Sequence, residues 1–384
     1  MIGRDAGRAF ALAIALGMMG GAHAMADATP DATRDVAAPD SVLVGAIRWD
    51  AWTAWDKYKA FLQDPQWRYR LPFYAEVRDD GSVEIRGDRP EVMGRELAYA
   101  HAAGIDYWAW CWYDPEHEDA SEHHMNDCLE IYRTHPDRGL VNYCVIGPGY
   151  WATRHWDRTV DRLVAMFAEP NYQKVLGDRP LFYYFSSQDA VPHFGSVEAA
   201  RAAIDALRAK TVAAGLGTPY IVGLCFWPDQ GAQAAKDCGF DAIGSYCNPP
   251  GAENRELAYS ELAALNRWFW GVCRDTGMQV VPPVNAGWDP RPRRALPDVN
   301  DDGNWCVGPE PEELGRHVAD AVAWVRANRD ACEPGTALIY AWNEFDEGGW
   351  ICPTSSEGTA RLDAIRAALD ALDRDPRGTP TDDD

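Results

Sequence analysis

Eight short runs rich in aromatic and β-branched residues recur along the chain, separated by amphipathic stretches, and this alternation constrains the fold more than any other feature. The runs lie at residues 42–49, 105–113, 140–147, 180–187, 219–227, 240–247, 279–286 and 336–344. Their nearly continuous hydrophobicity predicts strands covered on both faces, and a parallel sheet joined by crossovers is the arrangement that provides such cover. Helices are expected at 91–103, 197–214, 255–276, 311–329 and 356–372, the first and fourth opening on acidic residues as the helix dipole favours. Eight such units over residues 41–372 predict an α/β fold, a (β/α)8 TIM barrel forming a single catalytic domain. An open doubly wound sheet is the competitor, but no GxGxxG follows the first run and no phosphate-loop motif occurs. Pro282-Pro283 removes ladder donors from the seventh run, so a short or bulged strand is expected there. Residues 71–84 carry an Asp-Gly turn between apolar flanks and read as an inserted hairpin.

The ends read differently. Arg4 and Arg8 precede an uncharged run over residues 9–22, and Ala22-His23-Ala24 supplies a small-x-small cleavage pattern, so residues 1–24 are expected to be a secretory signal and the protein secreted or periplasmic. The run is shorter than the roughly 20 apolar residues of a membrane span. Residues 25–40 and 373–384 are too polar to pack and are expected to be a disordered linker and an acidic tail. An oxidising compartment allows the ten cysteines to pair. Cys111, Cys144, Cys225 and Cys247 fall inside strand runs and are expected to act as small buried hydrophobes, whereas Cys306 and Cys352 are the better disulfide candidates. Lys and Arg number 36 against 59 Asp and Glu, a net charge of −23, which excludes nucleic acid as a partner.

In a barrel the site is built at the carboxyl ends of the strands and in the loops that follow. Those positions hold Trp49 and Asp50 at the end of the first run, Trp112, Tyr113 and Asp114 at the end of the second, and Tyr246 and Asn248 at the end of the sixth. Asn285 and Trp288 stand at the end of the seventh, and Asn343, Glu344, Asp346, Glu347 and Trp350 close the last. Aromatic rings beside carboxylates and amides suit a sugar, with its C–H faces and hydroxyl rim, so a poly- or oligosaccharide is the expected partner. Trp108 and Trp110, inside the second run, are expected to pack between sheet and helices.

The sharpest constellation is the last run, LIYAWNEFDEGGWICPT, with three carboxylates in four residues. On an extended strand positions i and i+3 face opposite ways, so Glu344 and Glu347 share a cavity only if the chain turns, as Gly348-Gly349 permits. Two carboxylates in one cleft divide their labour, one holding a proton and the other staying ionised. Cleavage of a glycosidic bond requires that division.

The stretch Trp342-Asn343-Glu344-Phe345-Asp346-Glu347-Gly348 resembles the NEWHEG segment of glycoside hydrolase family 99, the endo-alpha-mannosidase family, and of family-99-like domains of bacterial polysaccharide proteins. Pro90-Glu91-Val92-Met93, Ala103-Gly104-Ile105-Asp106 and the aromatic-X-X-Pro run at Trp350 agree with it, and the likeness spans residues 42–370. The resemblance implies a retaining hydrolase in which Glu344 deprotonates the sugar's own 2-hydroxyl to form a 1,2-anhydro sugar. It further implies that Glu347 is the acid/base on the leaving oxygen, with no metal or organic cofactor. The chain departs from the family pattern in having Phe345 for Trp, Asp346 for His and Cys111 for an aspartate, leaving Asp114 as the nearest replacement.

Two other functions remain open on the residues alone. A non-catalytic carbohydrate-binding barrel keeps the aromatics and tolerates loss of either glutamate. A metal-dependent deacetylase or esterase could use Glu116, His117, Glu118, Asp119, Glu122, His123 and His124, although no known ligand spacing is present and a solvated loop explains them as well. Arg291, Arg293 and Arg294 either face the site, admitting anionic sugars, or form a surface cluster. Sugar identity, linkage and oligomeric state are not encoded in these patterns.

Overall fold

The computed structural model describes residues 41–54, 59–115, 124–147, 154–295 and 303–374. The expected signal, linker and most of the acidic tail lie outside these residues, as does the His-Glu cluster apart from His124.

Nine strands form the main sheet: β1 Leu43–Arg48, β2 Tyr107–Cys111, β3 Asn142–Gly147, β4 Arg179–Tyr184, β5 Tyr220–Leu224, β6 Ala242–Gly244, β7 Gln279–Val280, β8 Pro283–Asn285 and β9 Thr336–Tyr340. They follow the path β7-β6-β5-β4-β3-β2-β1-β9-β8 with every pairing parallel. Lys174–Val175 adds an antiparallel strand beside β4. The sheet curls, and both ends of its path belong to the seventh run. Val281 N donates to Ile243 O (2.9 Å), whereas Leu338 N donates to Pro282 O (3.1 Å), so the run changes partner at its prolines. Proline has no N–H to continue a ladder, which is why the expected interruption falls there.

Eight helices of eight residues or more cover the sheet among the described residues: α1 Pro90–Ala103, α2 Asp127–Thr134, α3 Trp156–Phe167, α4 Val197–Ala213, α5 Pro228–Cys238, α6 Tyr259–Asp275, α7 Pro311–Ala327 and α8 Ala360–Arg374. Proline opens α1, α5 and α7, where its missing N–H costs nothing. The hydroxyl of Ser196 caps α4 by accepting from Ala199 N (3.1 Å). The expected hairpin is present as Ala75–Val77 against Val83–Ile85, with Gly81 supplying the positive φ of its turn.

Three boundaries differ from expectation for local reasons. The third strand begins at Asn142 because Arg138–Leu140 forms a 3-10 turn. Helix α6 begins at Tyr259 because Glu256–Leu257 pairs with Trp305–Cys306. Helix α8 begins at Ala360 because Thr354 and Gly358 bridge across a turn.

The disulfide expectation for Cys306 and Cys352 is corrected: all ten cysteines are free and buried. The Cys352 thiol points at Glu96 (3.7 Å), whereas that of Cys306 donates to Val307 O (3.0 Å), so the two do not meet. Trp108 and Trp110 are packing residues as expected, their rings beside Tyr132 of α2 and beneath the Arg48 guanidinium at 4.6 and 4.5 Å. No helix among the described residues is long and apolar enough to cross a membrane.

Candidate active site

At the end of β9 the backbone ladder gives way to a side chain. Trp342 N still donates to Ile47 O (2.6 Å), but one residue on, Trp49 N donates to the Asn343 amide oxygen (2.8 Å). The Asn343 amide nitrogen in turn donates to Asp50 (3.1 Å). Freed from the sheet, Asn343 and Glu344 pair antiparallel with Trp350 and Gly349. This closes a tight turn over Phe345–Gly348, with Gly348 at φ +81°. The turn removes the i, i+3 conflict, because Glu344 and Glu347 now stand on either side of a reversal instead of on opposite faces of a strand.

Outside groups hold the turn. Asp289 N donates to Glu347 O (2.5 Å), and a Cβ on Gly287 would overlap Gly348 O, so the loop after β8 and the turn meet backbone to backbone. Arg70 donates to Phe345 O and Asp346 O (3.2 Å each) and to Asp289 O (2.9 Å), and it pairs with the Asp289 carboxylate. A buried arginine thus satisfies carbonyls that a four-residue turn cannot satisfy itself.

All three carboxylates are buried, Glu344 at 2%, Asp346 at 0% and Glu347 at 9% exposure. Glu344 accepts from the Tyr246 hydroxyl (2.5 Å), whose oxygen lies 3.4 Å from Cys111 Sγ. Burial, reinforced by the Asp346 charge, pushes the Glu344 carboxyl up to about 8 against the opposing pull of Arg293. Arg293 Nε donates to Asp346 (2.7 Å) while its Nη1 pairs with Glu347. Burial raises Asp346 above the usual range, with Arg293 pulling it down. Burial also works against the Arg293 charge, but Asp346, Glu347 and Glu344 outweigh it and hold the guanidinium firmly protonated.

The aromatic neighbours form a connected line: Phe185 to Tyr246 (5.5 Å between ring centres), Tyr246 to Tyr340 (5.4 Å), and Tyr340 to Trp288 (6.0 Å). Glu344 Oε2, Asp346 Oδ1 and the amide nitrogens of Asn248 and Asn285 are buried and take no hydrogen-bond partner among the described residues. A bound polyhydroxylated molecule is the kind of ligand such groups can satisfy. Asn285 is otherwise fixed by Asn266 of α6 and by Asn248 N.

Not every expected residue reaches this centre. Asp114, the nearest replacement for the family aspartate, is engaged by Thr159 and by Arg162 (2.8 Å) on α3. Trp350 is 2% exposed and lies under Arg361, 4.0 Å from its ring. Asp50 accepts from Arg48 Nε and Nη2 (2.8 and 3.2 Å) and belongs to a buried network in which Glu96 accepts from Arg48 and Trp342 (2.8 Å each). The Tyr113 hydroxyl accepts from Trp49 Nε1 (2.9 Å), and its backbone is bracketed by Asn126. Trp112 is buried, its backbone N–H bonded to Ile146 O (2.9 Å).

Arg70 is the residue that motif reading missed, and Arg293 is one for which it left site and surface equally open. The only signal for Arg293 was its place in the arginine-rich loop after the seventh run. Those arginines are already committed: Arg291 to Asp289 (2.7 and 2.9 Å), Arg293 to Asp346 and Glu347, and Arg294 to Asn254 (2.9 Å) and Gly303 O. Arg291 and Arg293 therefore brace the site's carboxylates, whereas Arg294 is held by an amide and a backbone carbonyl beside them.

No family model matches the chain. Among curated proteins it is 29% identical over 145 residues to the uncharacterized protein WxcX of Xanthomonas campestris pv. campestris (strain B100), a match spanning 35% of this chain and 20% of that protein. Only about a fifth of the relative's length is therefore matched. Among solved structures it is similar to the GH99 endo-alpha-mannosidase of Bacteroides thetaiotaomicron in complex with bis-tris-propane. That likeness has a TM-score of 0.54 at 12% identity and covers 88% of this chain and 98% of the other. A glycoside hydrolase-like protein matches with a TM-score of 0.56 at 15% identity over 88% and 96% of the two chains. The resemblance expected from the last motif is thus present in the fold.

Proposed function

We propose that the chain is an exported glycoside hydrolase that cleaves a poly- or oligosaccharide with retention, using Glu344 and Glu347 as its proton-transferring pair. The observation that carries this reading is the turn after β9, which buries two glutamates beside a line of aromatic rings and unsatisfied amides. The sheet is read as a (β/α)8 barrel closed through the seventh run, which places the turn at the carboxyl end where barrels hold their sites. In the first step the sugar's 2-hydroxyl loses its proton to one glutamate as O2 attacks C1. The C1–O bond breaks with its electron pair on the leaving oxygen, which takes a proton from the other glutamate. Water then opens the 1,2-anhydro ring by the reverse transfers. With Arg291 and Arg293 paired to carboxylates, uncharged sugars fit better than sulfated or uronic ones.

A second reading, a non-catalytic carbohydrate-binding barrel, draws on Arg293 already bridging Asp346 and Glu347. Digestion of a glycan panel read by mass spectrometry separates the two. Wild type is expected to shorten at least one glycan, and Glu344→Gln and Glu347→Gln, which remove charge but little volume, are each expected to lose about 10²–10⁴-fold of that rate. A panel left intact by a protein that still binds a glycan replaces the hydrolase with the binding protein.

A further inference from the structure

We propose that Arg293 is a positioning residue that holds Glu347 ionised and leaves the resting proton of the site on Glu344. This assignment rests on the hydrolase reading for its meaning but not for its test. It reverses the order implied by the family resemblance, in which the first glutamate of the motif enters as base.

The geometry is asymmetric. Arg293 directs Nε to Asp346 and Nη1 to Glu347, so its fork takes two of the three carboxylates on the turn. Glu344 receives a neutral donor, the Tyr246 hydroxyl, and its Oε2 has no partner among the described residues. The groups facing Glu344 compound this. Asp346 acts from its own turn, Asp50 from the end of β1, Cys111 from β2, and Tyr246 and Cys247 from beyond β6, with Arg293 pulling the other way from the loop after β8. Arg70, the other nearby cation, is spread over the turn's carbonyls and the Asp289 carboxylate. With Arg293 touching two of the three buried carboxylates and Arg70 adding its pull on Asp346, the carboxylate in contact with neither guanidinium is the one that keeps a proton.

The position also accounts for a departure in the motif. Where the family motif has His, this chain has Asp346, which adds a negative charge between the two glutamates, and Arg293 sits where it can offset that charge. With the proton so placed, Glu347 is the group ready to accept the 2-hydroxyl proton. Glu344 is the group ready to deliver one to the leaving oxygen, after which its carboxylate takes a proton from the attacking water.

Infrared spectroscopy of protein carrying ¹³C-labelled glutamate tests this without a substrate. Wild type at pH 7 is expected to show a protonated-glutamate carbonyl band that Glu344→Gln removes and Glu347→Gln leaves in place. Glu96→Gln is recorded alongside, because burial raises that carboxyl too. Arg293→Gln is expected to add a second protonated glutamate, absent again in the Arg293→Gln, Glu347→Gln double variant. A band removed by Glu347→Gln and untouched by Glu344→Gln overturns the assignment, as does a wild-type spectrum with no contribution from Glu344. On a glycan that is cleaved, Arg293→Gln is expected to raise the acid limb of the kcat/KM profile by about one pH unit or more, with Arg293→Lys recovering part of the shift. A uniform fall at every pH, with the limb unmoved, reduces Arg293 to a structural residue. A protein that cleaves nothing yet shows the expected bands keeps this proton assignment while losing the hydrolase reading.

Discussion

At the residue scale the fold sets the acidity of Glu344, and the consequence reaches beyond catalysis. Its carboxyl is raised to about 8 in the folded chain from an ordinary value near 4.5, chiefly by burial. As pH rises, the unfolded chain therefore releases this proton first. The contribution of Glu344 to stability is complete below about 4.5, declines between 4.5 and 8, and is gone above that. Glu344→Gln cannot ionise and is expected to melt above wild type at pH 8 while gaining nothing at pH 4.5. A constant difference in melting temperature across that range, read by calorimetry, would contradict a carboxyl held protonated. The residue types at this site were legible in the sequence, since three carboxylates in four residues stand out in any reading. The acidity of each was not, because it depends first on how deeply the fold buries each carboxyl and then on Arg293, a residue 54 positions from Glu347.

At the element scale, the packing of α7 turns on one imidazole. His317 is buried between Tyr259 and Trp270 of α6, its Nδ1 2.9 Å from the Tyr259 hydroxyl and its ring stacked 5.9 Å from Trp270. Tyr259 gives its single proton to Asn285 O (2.8 Å), so Nδ1 carries the hydrogen, while Nε2 is buried with no partner among the described residues, as suits a neutral ring. Burial depresses its pKa to about 3 from 6.5. The sign is opposite to that of Glu344: His317 contributes fully above pH 6.5 and its contribution is lost as pH falls towards 3, at about 1.4 kcal/mol per pH unit. His317→Phe is expected to flatten the acid limb of urea-unfolding stability between pH 6.5 and 4, beyond a constant offset for the lost hydrogen bond. An acid limb unchanged in slope would show that this histidine is solvated. The same link bears on the site, because Tyr259 and Asn266 of α6 together fix Asn285.

At the scale of the whole molecule, the inside of the sheet is tied across. Tyr107 of β2 reaches the Tyr183 hydroxyl of β4 (2.7 Å) and the Thr336 hydroxyl of β9 (2.8 Å). Three strands that are not neighbours in the path meet at one phenol, which only a strongly curled sheet permits. Gly45 on the intervening β1 makes room, since a Cβ there would overlap the Tyr107 ring. Gly45→Ala is expected to cost about 1–3 kcal/mol by overpacking, and Tyr107→Phe about 1 kcal/mol by losing its hydrogen bonds. Both are read as a lowered denaturant midpoint with an unchanged slope. An undiminished midpoint in Gly45→Ala would mean that the interior has slack where the structure has none.

The sequence by itself determined the alternation of strands and helices, the interruption at Pro282, the hairpin before α1 and the acidic turn after β9. Each follows from local chemistry: side-chain periodicity, a missing N–H, a glycine at positive φ. Tertiary structure alone decided the partners. It placed Arg293 across Asp346 and Glu347, committed Asp114 to α3, laid Arg361 over Trp350 and kept Cys306 and Cys352 apart. Those outcomes depend on which distant segments the curl of the sheet brings together, and spacing along a chain carries no measure of distance through space.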